Sequence, residues 1–179
     1  MSENIEKNTE NTVEIPKRLE KLLSQFPGLV FKGLDAKNVP VLIVQKQDMA
    51  AVTAYLKDNA EQKFDYLSCL SGIEEPDKFG VVYHFYSTIL NHQVVLKIYT
   101  DKDNPEVPSV SSIWITADWF EREAYDMYGI IFSEHPNLKR ILLTDDWEGY
   151  PLRKDYQLNE PKSYLNVERE WAKELRTES

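Results

Sequence analysis

Residues 81–99 read VVYHFYSTIL-NH-QVVLKIY, two runs rich in Val, Ile, Tyr and Phe that are separated by Asn91 and His92. Branched and aromatic side chains favour strands, and a break of two polar residues between such runs is typical of a tight hairpin. We therefore expect residues 81–90 and 93–99 to pair as an antiparallel hairpin.

Two short amphipathic helices and two further strands are predicted before this hairpin. The first helix ends at Pro27 and Gly28, and Asp48 is a candidate cap for the second. Residues 39–44 and 64–73 have the apolar composition of strands. The residues at helical spacing are Leu19, Leu22, Leu23 and Phe26 in the first helix and Met49, Val52, Tyr55 and Leu56 in the second.

The chain after the hairpin is predicted to contain a loop, a short strand and a third helix. Residues 101–109 contain two prolines and are expected to form the loop, and residues 110–115 are expected to return as a strand. Asp118, followed three residues later by Glu121, resembles a capping box, and Gly129 is placed to stop a helix. The predicted helix covers residues 119–128.

Composition sets the broad class of protein. A chain of 179 residues with 42% hydrophobic residues can form one domain with a sizeable core. The formal charge of -9 disfavours nucleic acid or anionic lipid as the general partner. No apolar run approaches the roughly 18 residues that cross a bilayer, so we expect a soluble, intracellular protein. Residues 1–14 are polar and acidic, and we expect them to form a mobile tail.

The sequence shows no site for a cofactor or a metal ion. Cys69 is the single cysteine, which excludes an iron–sulfur cluster built from this chain's thiolates alone. The three histidines have no metal-ligand spacing, and the six glycines form neither GxGxxG nor a Walker A loop. If the protein serves redox chemistry, other chains must carry the electrons.

The acidic residues of the third helix allow two interpretations. Glu121, Glu123 and Asp126 can be solvated acids on a charged face, with Arg122 as a weak partner of Asp126. Alternatively the face is an interface, because Trp119 is a large aromatic among these charges and is typical of an interface anchor. An enzyme of a different class, using Glu121 or Glu123 with His135 as acid and base, is a further hypothesis.

Residues 145–156 read DDWEGYPLRKDY, in which aromatic side chains alternate with both signs of charge. Trp147, Tyr150 and Tyr156 suit buried anchors on a partner, and Arg153 suits bidentate contacts to carboxylates. The alternative is an arm that folds back on its own domain. The expected division is a domain over residues 15–130 and an extended arm with a short helix over residues 131–179.

Taken together, residues 121–157 resemble the signature of the C subunit of proton-pumping NADH:quinone oxidoreductase, respiratory complex I. Residues 64–67 and 70–72 also resemble this family, more loosely. The residues that carry the resemblance are Glu121, Arg122, Glu123, Asp126, Met127, Gly129, Ile130, Phe132, His135, Pro136, Leu138, Arg140, Ile141, Leu142, Trp147, Gly149 and the run PLRKDY at 151–156.

The resemblance implies an α+β fold, a two-layer α/β domain with a mixed, largely antiparallel sheet that is followed by an extended C-terminal arm. It also implies a place in the peripheral arm of the complex, on the cytoplasmic face of the cell membrane. The partners would be the hydrogenase-like large subunit, known as the D subunit, and the B and I subunits. FMN, iron–sulfur clusters and quinone would be held by partner subunits, and this chain would supply no catalytic residue.

We expect the interface to comprise residues of the third helix and of the arm. Two alternatives remain: the same role in a complex with a ferredoxin or hydrogenase type of donor, and an acidic adaptor outside respiration. The expected interface residues are Trp119, Glu121, Arg122, Glu123, Asp126, Gly129, His135, Pro136, Arg140, Trp147, Gly149, Tyr150, Pro151, Arg153, Lys154, Asp155 and Tyr156.

Overall fold

The computed structural model describes residues 15–157, which fold into a five-stranded sheet, a two-stranded sheet and three α-helices. The helices are α1 (Lys17–Gln25), α2 (Met49–Asp58) and α3 (Ala117–Tyr128), and a 3-10 helix (Lys46–Asp48) precedes α2. The strands are β1 (Val30–Leu34), β2 (Pro40–Ile43), β3 (Tyr66–Glu74), β4 (Lys78–Ser87), β5 (His92–Asp101), β6 (Glu106–Pro108) and β7 (Ile131–Ser133).

The large sheet has the strand order β1-β2-β5-β4-β3. Strands β2 and β5 are parallel, whereas the pairs β1–β2, β4–β5 and β3–β4 are antiparallel. Strands β6 and β7 form a separate parallel pair. The prediction of an α+β fold with a mixed, largely antiparallel sheet is confirmed.

The predicted hairpin is present as β4 and β5, but its turn is longer than the sequence indicates. The strands pair without a break from Lys78 opposite Asp101 to Ser87 opposite His92, so residues 88–91 connect them. Thr88 is held outside the ladder because its N–H and its hydroxyl both donate to the carboxylate of Asp65. The prediction of a two-residue turn was therefore wrong, and His92 begins β5.

The core lies between one face of the large sheet and the three helices. Alternate residues of β4 and β5, among them Tyr83 and Leu96, point to this face and are fully buried. The helices contribute apolar side chains at the predicted helical spacing, which is what a face buried against a sheet requires. The buried apolar helix residues are Leu19 and Leu22 in α1, Met49, Val52 and Leu56 in α2, and Ala117, Ala124 and Met127 in α3.

One predicted strand is absent, and strands β1, β6 and β7 were not predicted. Residues 110–115 form turns, because the carbonyl of Val110 accepts hydrogen bonds from the N–H groups of both Ile113 and Trp114. Val110, Ile113 and Trp114 of this segment pack in the core from a turn rather than from a strand. Strand β1 was missed because Lys32 and Gly33 interrupt its apolar pattern, and the predicted loop at 101–109 contains β6.

The C-terminal end of α3 was predicted correctly, but the predicted N-terminal caps of α2 and α3 were not. Gly129 ends α3 in the left-handed region with φ 71°. The helix begins at Ala117, so Asp118 lies inside its first turn, where a negative charge favours the helix dipole. Asp48 closes the 3-10 helix, and its side chain makes no cap to α2. The expected tail at 1–14 and the end of the expected arm at 158–179 lie outside the described residues.

Candidate functional site

Helix α3 is packed on two sides, against the sheet and against the chain that follows β7. Three of its charged residues, Glu121, Arg122 and Asp126, are buried, and Glu123 is exposed. The interpretation of these acids as a solvated face was therefore wrong for Glu121 and Asp126. In the sequence, the charged residues of α3 look like a solvated helix face. The pattern does not show that these side chains contact a second segment of the same chain.

Asp126 is the centre of the contacts between α3 and the following chain. Its Oδ1 accepts from Arg140 Nη1 at 2.8 Å. Its Oδ2 accepts the backbone N–H groups of Ile141, Leu142 and Leu143 at 3.0, 2.7 and 3.0 Å. Burial opposes the charged form, but these donors together hold the pKa of Asp126 below its ordinary value. The carboxylate therefore fixes the backbone of residues 141–143 against the helix.

The two arginines beside Asp126 bind backbone carbonyls. Arg122 donates to the carbonyls of Lys139 and Arg140 at 3.2 and 3.4 Å, so it is not the partner of Asp126 that the sequence suggested. Arg140 donates to the carbonyls of Trp147 and Gly149 at 3.3 and 3.1 Å. Arginine suits this use because its planar fork offers several donors at fixed angles.

Arg153 is held at the end of α3. Its guanidinium lies between the rings of Phe79 and Tyr150, at 4.8 and 4.6 Å from their centroids. Its Nε donates to the carbonyl of Tyr128 at 2.6 Å. A Cβ on Gly129 would lie 2.5 Å from the ring of Tyr150 and 2.6 Å from Arg153 Nη2. Gly129 is thus needed for its positive φ and for this close approach.

The last described residues are tied to β3. Glu74, at the end of that strand, accepts the N–H of Lys154 at 2.7 Å and pairs with Lys102 Nζ at 2.6 Å. Hydrogen bonds from Lys102 and from the Lys154 N–H lower the pKa of Glu74. The N–H of Leu152 donates to the carbonyl of Met127 at 3.1 Å. The alternative of an arm that folds back on its own domain therefore describes the chain from 131 to 157.

The predicted interface residues differ widely in exposure. The structure brings most of them together around α3, as internal contacts of one chain. Glu121, Arg122, Asp126 and Gly129 are buried; His135, Arg140, Trp147, Tyr150, Pro151, Arg153 and Tyr156 are half-buried; Trp119, Glu123, Pro136, Gly149, Lys154 and Asp155 are exposed.

Glu121 and His135 meet at the first half of α3. Their side chains are both 0% exposed, and His135 Nε2 lies 3.9 Å from Glu121 Oε2. The Nδ1 atom of His135 accepts the N–H of Asn137 at 3.0 Å, so the proton of the ring is on Nε2, which donates to the carbonyl of Asp118 at 3.2 Å. The same nitrogen lies 3.1 Å from Asp118 Oδ1, closer than it lies to Glu121.

Burial raises the pKa of Glu121 to about 7, against hydrogen bonds from Ser109 and Val110 that favour its charged form. Such a value suits a general acid or base, but the carboxyl and the imidazole are both shielded from solvent. Catalysis requires that a substrate reach the acid and the base. The geometry therefore does not favour the acid–base enzyme hypothesis.

Three large apolar side chains on α3 or next to it are exposed, and we call them the apolar strip: Ile115 just before the helix, Trp119 in its first turn, and Leu142 in the segment bound to Asp126. They are 86%, 62% and 62% exposed. Trp119 stacks on the guanidinium of Arg122 at 5.0 Å, and the N–H of Leu142 is bound by Asp126 further along the helix. Sequence reasoning found Trp119 but missed Ile115, which precedes the helix, and Leu142, which lies 23 residues after Trp119.

Within residues 15–157, no group of three or more His, Cys, Asp or Glu side chains is arranged to hold a metal ion. In the same part of the chain, no helix has both the length and the apolar character needed to cross a bilayer.

Comparison with known proteins gives consistent matches. Residues 42–162 match the family described as respiratory-chain NADH dehydrogenase, 30 kDa subunit. A relative from Chloroherpeton thalassium, named as the C subunit of NADH-quinone oxidoreductase, is 46% identical over 125 residues, which are 68% of this chain and 52% of the relative. The protein of the same name from Chlorobium phaeobacteroides is 46% identical over 119 residues, 65% of this chain and 72% of the relative.

The chain spans about half the length of the Chloroherpeton relative and most of the Chlorobium relative. Among solved structures, a trypsin-resistant fragment of Nqo5 has the same fold, with a TM-score of 0.58 and 24% identity over 68% of this chain and 99% of the fragment.

Proposed function

The chain belongs to the family of the 30 kDa subunit of respiratory-chain NADH dehydrogenase, and from this premise we propose that it is a cofactor-free docking subunit of a quinone-reducing, proton-translocating NADH dehydrogenase complex. Its partner is the hydrogenase-like large subunit, the D subunit of the complex, with the B and I subunits nearby, on the cytoplasmic face of the cell membrane. FMN, iron–sulfur clusters and quinone belong to the partner subunits, and this chain supports assembly.

The observation that supports a docking role is the apolar strip. Ile115, Trp119 and Leu142 expose large apolar side chains on α3 and on the chain segments beside it. Scattered apolar residues are ordinary on a protein surface, but a group of them at one helix and the segments bound to it suits a site of protein association. Trp is also the residue type most enriched among interface anchors.

The polar contacts beneath the strip explain why a docking subunit needs the motif residues. Asp126 and Arg122 fix the backbone of residues 139–143 on α3, and this sets the position of Leu142 relative to Trp119. A surface that is rigid before association loses less conformational entropy on binding than a flexible one. In this proposal the buried motif residues act on the interface by shaping it.

The test compares Trp119→Ala with Ile89→Ala in the full-length chain, expressed in its native cells with an affinity tag. The two side chains are similarly exposed, at 62% and 66%, but Ile89 lies in the β4–β5 turn, outside the strip. We expect Trp119→Ala to weaken recovery of the large subunit about tenfold or more, and Ile89→Ala to leave it unchanged. Equal recovery with both variants would contradict docking through the strip.

Two further measurements bear on the rest of the proposal. The purified chain is expected to contain neither flavin nor iron by absorbance and metal analysis, and a stoichiometric amount of either would contradict a cofactor-free subunit. Mass spectrometry of the tagged complex then identifies the electron donor. An FMN-binding partner supports NADH, whereas a ferredoxin-type or hydrogenase-type partner supports the alternative donor.

A further inference from the structure

Glu121 is a fully buried acid that the docking proposal does not use. Its side chain has no exposed surface. Its Oε1 accepts the N–H of Val110 at 2.7 Å, and its Oε2 is 2.6 Å from the hydroxyl of Ser109. These contacts tie α3 to the loop that follows β6.

In residues 15–157, the titratable groups that face Glu121 are Asp118, His135 and Tyr83. Asp118 on α3 is itself an acid, and His135 Nε2, from the chain after β7, is 3.1 Å from Asp118 Oδ1 and 3.9 Å from Glu121 Oε2. Tyr83 on β4 is completely buried, which raises its pKa well above its ordinary value, so its hydroxyl is neutral. Over residues 15–157, no Lys or Arg nitrogen lies within 4.0 Å of the Glu121 carboxyl.

A buried carboxylate without a cation is costly, since neither water nor an opposite charge stabilises it. The usual response of a carboxyl in such a place is to bind a proton. A chain of hydrogen-bonding atoms gives a proton a path between such a buried group and solvent.

Two serine hydroxyls provide such a chain. Glu121 Oε2 is 2.6 Å from Ser109 Oγ, and Ser109 Oγ is 2.8 Å from Ser111 Oγ. Both serines are only half-buried, so this chain leads from the core to the surface of the loop. Each hydroxyl can donate in either direction, because its hydrogen rotates about the C–O bond.

We propose that Glu121 is a proton-binding site that exchanges its proton with solvent through the hydroxyls of Ser109 and Ser111. In the charged form, Ser111 donates to Ser109, and Ser109 donates to the carboxylate. On uptake, the Ser109 proton moves to Glu121 Oε2, the Ser111 proton moves to Ser109, and solvent returns one proton to Ser111. Both hydroxyls then donate in the opposite direction, and the carboxyl is neutral.

The direction of the pKa shift agrees with this geometry. Burial, with the nearby charge of Asp118, places the pKa of Glu121 at about 7, above its ordinary value of 4.5. The folded protein therefore holds a proton that the unfolded chain has lost, between about pH 4.5 and pH 7. The contribution of Glu121 to stability is complete below that window, falls as the pH rises through it, and changes no further above it.

The test is a pH titration of the full 179-residue chain with 13C-labelled glutamate carboxyl groups, followed by NMR. We expect one carboxyl resonance with a midpoint near 7, well separated from the exposed glutamates. That resonance should be absent in Glu121→Gln, whose amide resembles the neutral acid, and present in Glu123→Gln, which changes an exposed acid on the same helix. If no glutamate of the wild-type chain titrates above pH 5.5, the proposal is wrong, whether or not either variant folds.

The serine chain has its own test. Ser109→Ala removes a hydrogen bond to the charged form, so the midpoint of Glu121 should rise, whereas Ser109→Thr keeps the hydroxyl and should restore the wild-type midpoint. A midpoint that is unchanged in Ser109→Ala would contradict a role for this hydroxyl and with it the proposed path.

Discussion

The sheet with its helices and the chain around α3 are stabilised in opposite ways. In the first region, the centre is apolar, as at Leu96, which lies between Leu42 on β2 and Tyr83 on β4 and is fully buried. In the second region, residues 121–157, the centre is a carboxylate, Asp126, with an arginine and three backbone N–H groups around it. The apolar region forms from periodic patterns, whereas the polar region depends on a few specific contacts.

This difference has consequences for mutation. An apolar side chain can be replaced by another of similar volume at modest cost. A buried carboxylate that satisfies four donors has no such substitute, because an apolar side chain leaves three part-buried backbone N–H groups without an acceptor. Substitutions in both regions can therefore show whether the region around α3 depends on its polar contacts as strongly as the sheet depends on its core.

The largest effect is expected for Asp126→Ala. The change leaves Arg140 and three backbone N–H groups without their acceptor, and we expect a loss of about 3–5 kcal/mol in the free energy of unfolding. Urea denaturation followed by circular dichroism measures it. The matched control is Glu123→Ala on the exposed side of the same helix, for which we expect a change within about 0.5 kcal/mol. Similar losses in both variants would remove the distinction between buried and solvated acids.

Leu96→Ala tests the apolar region in the same assay. A cavity between β2, β4 and β5 is expected to lower the free energy of unfolding by about 2–5 kcal/mol. Leu96→Met, which nearly conserves volume, should cost less than about 1.5 kcal/mol. If both substitutions lower the free energy of unfolding by the same amount, the shape of the side chain rather than its apolar volume governs this core.

Gly129→Ala tests the junction between the two regions. A side chain here must adopt a positive φ and would meet Tyr150 and Arg153, so we expect a loss of about 2–4 kcal/mol. Gly149 provides a comparison, since its φ is also positive, at 82°, but it is exposed and only the ring of Tyr156 is close. Gly149→Ala should therefore cost less, and a larger loss there than at Gly129 would contradict the proposed packing.

The smallest of these effects is expected for Arg153→Ala. It removes the contacts with two aromatic rings and one carbonyl, for a loss of about 1–3 kcal/mol. Lys154→Ala is the control, because the hydrogen bond that Lys154 donates to Glu74 comes from its backbone N–H, which the substitution keeps. If the melting temperature is the same in both variants and in the wild type, Arg153 does not hold residues 150–156 on the domain.

The fold of the apolar region follows well from sequence because its signals are local. Helices α1 and α2 and strands β4 and β5 were predicted from spacing and side-chain type, and the mixed sheet was implied by the family resemblance. The length of the turn between β4 and β5 was not predicted. The contact that sets it comes from Asp65, which is 23 residues away from Thr88.

For the region around α3, the sequence identified the motif residues but not the contacts between them. The motif was recognised, but its acids were interpreted as a solvated helix face. The partners of Asp126 are 14 to 17 residues further along the chain. No periodic pattern links a carboxylate to backbone N–H groups at that distance. The apolar strip was predicted at Trp119 alone, since the side of α3 on which Leu142 lies is set by those same contacts.

The central claim is that residues 131–157 are held on their own domain by buried polar contacts before any partner binds. Hydrogen exchange of the isolated full-length chain, read by NMR at the N–H groups of Ile141, Leu142 and Leu143, tests it most directly. The hydrogen bonds to Asp126 predict strong protection of all three amides in the wild type and its loss in Asp126→Ala. Exchange of these amides at the rate of an unfolded chain in the wild type would show that the segment becomes ordered only against a partner, and would contradict the claim.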